Sequence, residues 1–156
     1  MLLTLMRHGI AEPYAGSDAG RELTPEGVSI VHRVVRGLKA SGWLPGGVVC
    51  SPLIRSQQTA AVILEHFPGL PQVILREVIA TEDNLLEEIG YHDLVDPVIV
   101  GHEPGISRLA AELIQAAPRM RFEPATVAGY RLDGFPPRQP VQLLFYAPPS
   151  FARCMG

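Results

Sequence analysis

The chain reads as an α/β protein, a three-layer αβα sandwich built on a largely parallel central sheet. Two observations predict it. Short apolar runs at residues 2–6, 48–50 and 98–100 are each followed by a turn and then by apolar residues at helical spacing, the alternation that builds a parallel sheet covered by helices. The 156 residues are 47% hydrophobic and 19% charged, which suits a single core and a single domain over residues 1–156 and argues against disorder.

The opening run Leu2, Leu3, Thr4, Leu5, Met6 stops abruptly at Arg7, His8 and Gly9. Residues 10–20 are rich in small and turn-forming side chains and lack either hydrophobic period, so they form a long loop, of the kind that usually borders a site. Thr24, Pro25 and Glu26 read as an N-cap followed by proline in the first turn. Val28, Val31, Val34, Val35 and Leu38 then carry a helix to about Ser41, with Gly42 ending it. A second strand over residues 46–50 leads to Ser51-Pro52, which looks like the start of a second helix. That helix holds Ile54, Ala61, Leu64 and Phe67 until Pro68-Gly69 breaks it.

Residues 73–75 make a third strand, and residues 76–83 mix strand and loop character. From Asn84, the residues Leu85, Leu86, Ile89 and Leu94 suggest a further helix, weakened at Gly90 by about 1 kcal/mol relative to alanine. Residues 97–101 are continuously apolar, as in a strand buried on both faces. Ile106, Leu109, Ala110 and Leu113 mark the next helix, and residues 125–132 and 141–146 two late strands. The tail, residues 147–156, shows no pattern and is expected to be irregular.

A net charge of −3 and a pI near 5.9 provide no general attraction to nucleic acid or to an anionic membrane, and neither is expected as a partner. Any anion site must be local. Cys50 and Cys154 lie far apart without metal-ligand spacing, so Cys50 is expected to be buried and Cys154 incidental. The apolar start is too short for a signal peptide and no run approaches a membrane span, which leads to the expectation of a cytoplasmic protein.

Parallel strands would aim Arg7, His8, Arg55 and His102 at one edge of the sheet, beyond the carboxyl ends where ligands bind in open α/β sheets. One arginine or histidine alone usually means a surface charge or a packed ring. Together they make a pocket for a tetrahedral dianion, because guanidinium forks donate paired, charge-assisted hydrogen bonds to phosphate oxygens. Helix starts after Ser51 and near Pro104 would add backbone donors. His32, His66 and His92 lack a comparable context and are expected to be structural. Two guanidiniums oppose a cation at His8 and His102, and no carboxylate sits at ligand spacing, so no metal and no cofactor are expected.

Three segments carry a resemblance: Leu5-Met6-Arg7-His8-Gly9, the run from Ser51 through Arg55 to Thr59, and Val100-Gly101-His102-Glu103-Pro104-Gly105. In order and context they resemble the signature segments of the histidine phosphatase superfamily. The nearer likeness is to its small SixA-type phosphohistidine phosphatases, which share Ala11 and the pattern Ser17-Asp18-x-x-Arg21-x-Leu23-Thr24-x-x-Gly27. It extends from residue 2 to about residue 133. The resemblance implies a phosphoglycerate mutase-like fold in a minimal form, without the large helical insertion that encloses small substrates in the bigger members.

It also implies a mechanism. His8 would attack phosphorus and form a phosphohistidine that water hydrolyses, while Arg7, Arg55 and His102 bind the equatorial oxygens and Gly9, Arg21 and Ser51 contribute to substrate binding. An imidazole attacks only when neutral, and its unperturbed pKa of about 6.5 is favourably lowered by a neighbouring Arg7. Arg21 has two readings, contact with phosphate or partner, or a simple pair with Asp18. Candidates for the general acid are Glu77 and Glu82, with Asp83 a rival. A phosphoramidate substrate relaxes that need, since imidazole leaves more readily than an alkoxide. The expected partner is therefore a protein bearing phosphohistidine, with a small phosphorylated molecule as the competing substrate. A non-catalytic phosphate-binding module is disfavoured by the complete set of four residues, and Glu103 departs from the small or amide residue often found beside the second histidine.

Overall fold

The computed structural model describes residues 1–14, 16–75, 90, 92–115, 120–134, 137 and 141–153. Its strands are β1 (Leu2–Arg7), β2 (Gly47–Cys50), β3 (Gln72–Ile74), β4 (Pro97–Gly101), β5 (Val127–Arg131) and β6 (Gln142–Ala147), and its helices α1 (Pro25–Ala40), α2 (Ile54–His66) and α3 (Gly105–Leu113). The strands form one sheet in the order β3-β2-β4-β1-β5-β6. β3, β2, β4 and β1 are mutually parallel, and β5 runs antiparallel to both β1 and β6. The expected αβα sandwich with a largely parallel sheet is what forms.

The central strands read as unbroken apolar runs because both of their faces are covered. Met6, Val48, Cys50, Val98 and Val100 face α1 and α2, meeting Val31, Val34, Val35 and Ile63. Leu3, Leu5, Val49 and Ile99 point the other way, toward Ile106, Leu109 and Leu113 of α3 and toward Phe122. Each fully buried aliphatic or aromatic side chain stabilises the fold by about 1.5–3 kcal/mol relative to exposure. The buried hydroxyl of Thr4 on β1 is satisfied by Trp43 Nε1–H at 3.1 Å. Cys50 is a free, buried thiol.

The connections determine where a ligand crevice opens. β1 leaves through α1 toward β2 on one side of the sheet, whereas β4, its direct neighbour, leaves through α3 to β5 on the other side. Such a divergence leaves an uncovered crevice over the carboxyl ends of the two strands. Arg7 pairs in register with Gly101, so the residues following both strands meet there.

α1 begins as expected: Thr24 Oγ1 accepts from Gly27 N–H at 2.9 Å and proline occupies the first turn. Gly27 is required at this contact, because a Cβ there would lie 2.1 Å from the carbonyl oxygen of Ile10. Its absence lets α1 press against the loop that leaves His8. α2 departs from expectation, starting at Ile54 with Leu53 as its cap residue. Ser51 Oγ accepts from Leu53 N–H at 3.3 Å and pairs with His102, which holds residues 51–53 as a turn ahead of the helix.

The expected irregular tail is also corrected. Ala147 completes β6 and residues Pro149–Arg153 form a 3₁₀ helix, with Phe151 packed on the α1 side of the core. Five residues are too few to display a period. The third strand lies one residue earlier than expected, at Gln72–Ile74. The segment 76–83 and most of the helix expected from Asn84 lie outside the described residues, as does Cys154.

Candidate functional site

Arg7 ends β1 and His8 follows it, both clamped by backbone bonds to the neighbouring strands' ends. Arg7 N–H donates to Thr126 O at 3.0 Å, His8 N–H to Gly101 O at 3.1 Å, and Ala125 N–H to His8 O at 3.0 Å. Arg55 enters from the first turn of α2 and His102 from the turn after β4. The four side chains expected to converge do so: Arg55 Nε lies 3.3 Å from His8 Nε2, and the rings of His8 and His102 are 5.1 Å apart.

The hydrogen bonds of His8 leave no choice of tautomer. Nδ1 faces the Gly9 carbonyl at 2.7 Å, which only accepts, and Nε2 faces Arg55 Nε–H, which only donates. The proton is therefore on Nδ1 and the lone pair on Nε2, in a side chain only 6% exposed. Burial first, and then His102, Arg55 and Arg7, push the His8 pKa down to about 3 against the opposing pull of the Gly9 carbonyl. Burial and Arg55 likewise push His102 down to about 4, with Asp18 opposing. Both rings are neutral at physiological pH.

Arg7 donates through Nη1 to Phe122 O at 2.7 Å, and its buried Nε has no partner among the described residues. Burial lowers its pKa, Glu103 opposes this, and Arg121 adds to it; the guanidinium stays charged. Glu103 in turn accepts from Phe122 N–H at 3.1 Å and from Ser107 Oγ at 2.5 Å. The unexpected glutamate thus anchors the short segment whose carbonyl orients Arg7.

Arg55, 5% exposed, is held by three protein contacts. Besides His8, it donates through Nη1 to Asp18 O at 2.7 Å and through Nη2 to Asp18 Oδ2 at 3.0 Å. Asp18 Oδ1 also accepts from Arg21 Nη1 at 3.1 Å, and Arg21 Nε donates to Glu12 O at 2.6 Å. Hydrogen bonds from Arg55 and then Arg21 hold the Asp18 carboxyl below its ordinary range. Of its two readings, Arg21 displays the Asp18 pair here.

Ser51 is 2% exposed and lies 2.5 Å from His102 Nε2. Gly9 donates to Thr59 Oγ1 at 3.1 Å, and an added Cβ would come within 2.8 Å of Val31 Cγ2. Two contributors escaped the sequence reading. Ser56 Oγ stands 3.3 Å from His102 Nε2, and its position directly after Arg55 was the available signal. The Asp18–Arg55 pair had none, since 37 residues separate its members. Glu77, Glu82 and Asp83 lie outside the described residues. Among the described residues no group of three or more His, Cys, Asp or Glu side chains is arranged to hold a metal ion, and no helix is long and apolar enough to cross a membrane.

The arrangement offers a neutral imidazole lone pair beside two guanidiniums and a second neutral ring, a set suited to nucleophilic attack on a bound phosphoryl group. It also has a cost in acid. Between pH 6.5 and about 4 to 3, the unfolded chain protonates these imidazoles while the folded one does not. The unfolded state then binds more protons, so stability falls as pH falls through that window. Thermal denaturation from pH 7 to pH 4 should show a falling Tm, and a shallower fall in His8→Asn; equal slopes would remove His8 from this effect.

A sequence model of the histidine phosphatase superfamily (branch 1) matches residues 3–97, a span that contains Arg7, His8, Ser51 and Arg55. Phosphohistidine phosphatase SixA of Escherichia coli (strain K12) is 25% identical over 139 residues, covering 85% of this chain and 86% of that protein. The structure of the protein histidine phosphatase SixA complexed with tungstate superposes with a TM-score of 0.84 at 23% identity, covering 96% of this chain and 98% of that one. The alpha-ribazole phosphatase from Shigella flexneri superposes with a TM-score of 0.74 at 18% identity, covering 96% and 97%. These two structural likenesses speak to the fold.

Proposed function

The chain belongs to the histidine phosphatase superfamily, and from that premise we propose that it is a metal-independent phosphatase that hydrolyses protein phosphohistidine through a covalent intermediate on His8. The observation that carries this reading is the lone pair of His8 Nε2, set by two partners of fixed polarity and kept neutral by burial.

A phosphoryl oxygen entering the pocket takes over the Arg55 Nε–H that otherwise caps Nε2. The freed lone pair attacks phosphorus as the P–N bond to the leaving imidazole breaks, and the leaving nitrogen keeps the bond pair and takes up a proton from solvent water. Arg7, Arg55 and His102 stabilise the three equatorial oxygens, where charge builds in the transition state. Water then attacks the phosphorus of phospho-His8, the P–N bond breaks, and inorganic phosphate departs with His8 neutral again. Gly9 and Ser51 act by holding His8 and His102, and Arg21 holds Asp18 against Arg55. Glu77 or Glu82 would serve as general acid for a leaving group poorer than imidazole.

Protein phosphohistidine is favoured by the likeness to SixA across most of both chains and by the exposed setting of Asp18 beside Arg55, with 67% of its side chain in solvent. A phosphorylated histidine on another protein's surface can reach such a mouth. The deciding experiment compares kcat/KM on a phosphohistidine-bearing protein with that on simple phosphate monoesters. Faster turnover of the esters would overturn the substrate class while leaving the phosphatase reading intact.

A further inference from the structure

Away from the phosphate pocket, α1 and α2 bring two imidazoles together edge to edge, their planes inclined at 63°. His32 lies midway along α1 and His66 is the last residue of α2. Nδ1 of His32 stands 3.1 Å from Nε2 of His66, with ring centroids 5.3 Å apart. Neither ring has a part in the proposed phosphoryl chemistry.

The other edge of His32 faces a carboxylate, with Nε2 at 3.7 Å from Glu65 Oε2. At that distance the carboxylate makes no direct hydrogen bond, but its negative charge favours the tautomer with the proton on Nε2, which leaves the Nδ1 lone pair directed at His66. In the metal-free protein His66 must then donate its own Nε2–H across the gap. Two imidazole nitrogens so placed share one proton, and a metal ion is the other species that can satisfy both lone pairs at once. Nitrogens bound at about 2.05 Å to a tetrahedral Zn²⁺ lie about 3.3 Å apart, close to the 3.1 Å between these two, and each ring must rotate to turn its lone pair from the other nitrogen to the ion. A carboxylate on the remote nitrogen is the usual outer partner of a metal-bound histidine, fixing its tautomer and orientation.

We propose that His32 and His66 form a two-imidazole site for a borderline divalent transition-metal ion, with Zn²⁺ as the reference case and Glu65 holding His32 in its binding tautomer. Water completes the coordination, since the His32 side chain is 36% exposed. The charged groups around the pair include Glu65, Lys39 and Arg36. Burial, followed by His32 and Lys39, lowers the His66 pKa. The two cations disfavour any positive ion, but Lys39 is turned to the His66 carbonyl at 2.6 Å and lies over the Phe67 ring. The ions that overcome this opposition are those that bond strongly to imidazole, which selects Zn²⁺, Ni²⁺ or Cu²⁺ over Mg²⁺ or Ca²⁺.

The test is calorimetric titration of the intact, untagged protein with ZnCl₂ at pH 7.5, alongside Tm measurements. One ion should bind per chain, and at a hundredfold excess over Kd the Tm should rise by about 8 °C. His32→Ala and His66→Ala, both confirmed as folded by circular dichroism, should each lose the binding and the Tm shift. Should either fail to fold, His32→Gln and His66→Gln serve in its place. Glu65→Gln should weaken affinity about tenfold. No binding to the wild type, or binding that persists in either histidine variant, overturns the site; unchanged affinity in Glu65→Gln overturns the part given to Glu65.

Discussion

Replacing His8 with alanine is expected to abolish phosphoenzyme formation and to cut turnover by at least about a thousandfold. The expectation rests on geometry before chemistry. His8 presents one nitrogen only, because Nδ1–H is spent on Gly9 and Nε2 faces the Arg55 guanidinium. The measurement is a denaturing quench after mixing with a labelled phosphodonor. Wild type should carry acid-labile, base-stable phosphate on His8, and His8→Ala none. A wild-type protein that binds phosphate yet never becomes labelled would sink the covalent mechanism. His8→Ala retaining substantial turnover would do the same for the nucleophile.

Arg55→Ala is expected to lower kcat by about a hundredfold or more, the loss typical for one pre-placed donor to a developing charge. Lysine should restore little of it. The guanidinium reaches His8 through Nε and Asp18 through both Nη groups, three directions that a single ammonium cannot reproduce. Asp18→Ala provides the contrast, because one of the two Asp18 contacts to Arg55 is made by the backbone carbonyl and survives the substitution. Its loss in kcat should be clearly smaller. Equal losses in the two variants would mean that Arg55 acts through the loop rather than on the phosphoryl group.

The parts of this architecture legible in the sequence were those set by local pattern or by burial. β1 and β4 announced themselves as largely apolar runs because both of their faces are covered, and α1 through Thr24, Pro25 and its valine spacing. Arg7, His8, Arg55 and His102 were legible because each ends a strand, directly follows one, or lies in the first turn of the helix after one. Tertiary pairing was not legible. Ser51 looked like a helix cap, whereas its engagement with His102 delays α2 to Ile54. Asp18 was legible as a possible partner of Arg21, but its pairing with Arg55 was not. His32 and His66 read as ordinary helix residues, since only the packing of α1 on α2 makes them neighbours.

The clamping of Arg7 and His8 between strands sets the motions open to the molecule. Their amides are bonded to Thr126 and Gly101 at the ends of the strands that flank β1, so opening them requires breaking the pairing on both sides, an event costlier than local loop opening. The exposed stretch around Asp18 opens far more cheaply. Nucleophile and mouth therefore belong to different stability classes, and amide hydrogen exchange at His8 should be slower than at the residues around Asp18. Changes in the loop can retune which phosphorylated surface is admitted while leaving the nucleophile's alignment unchanged.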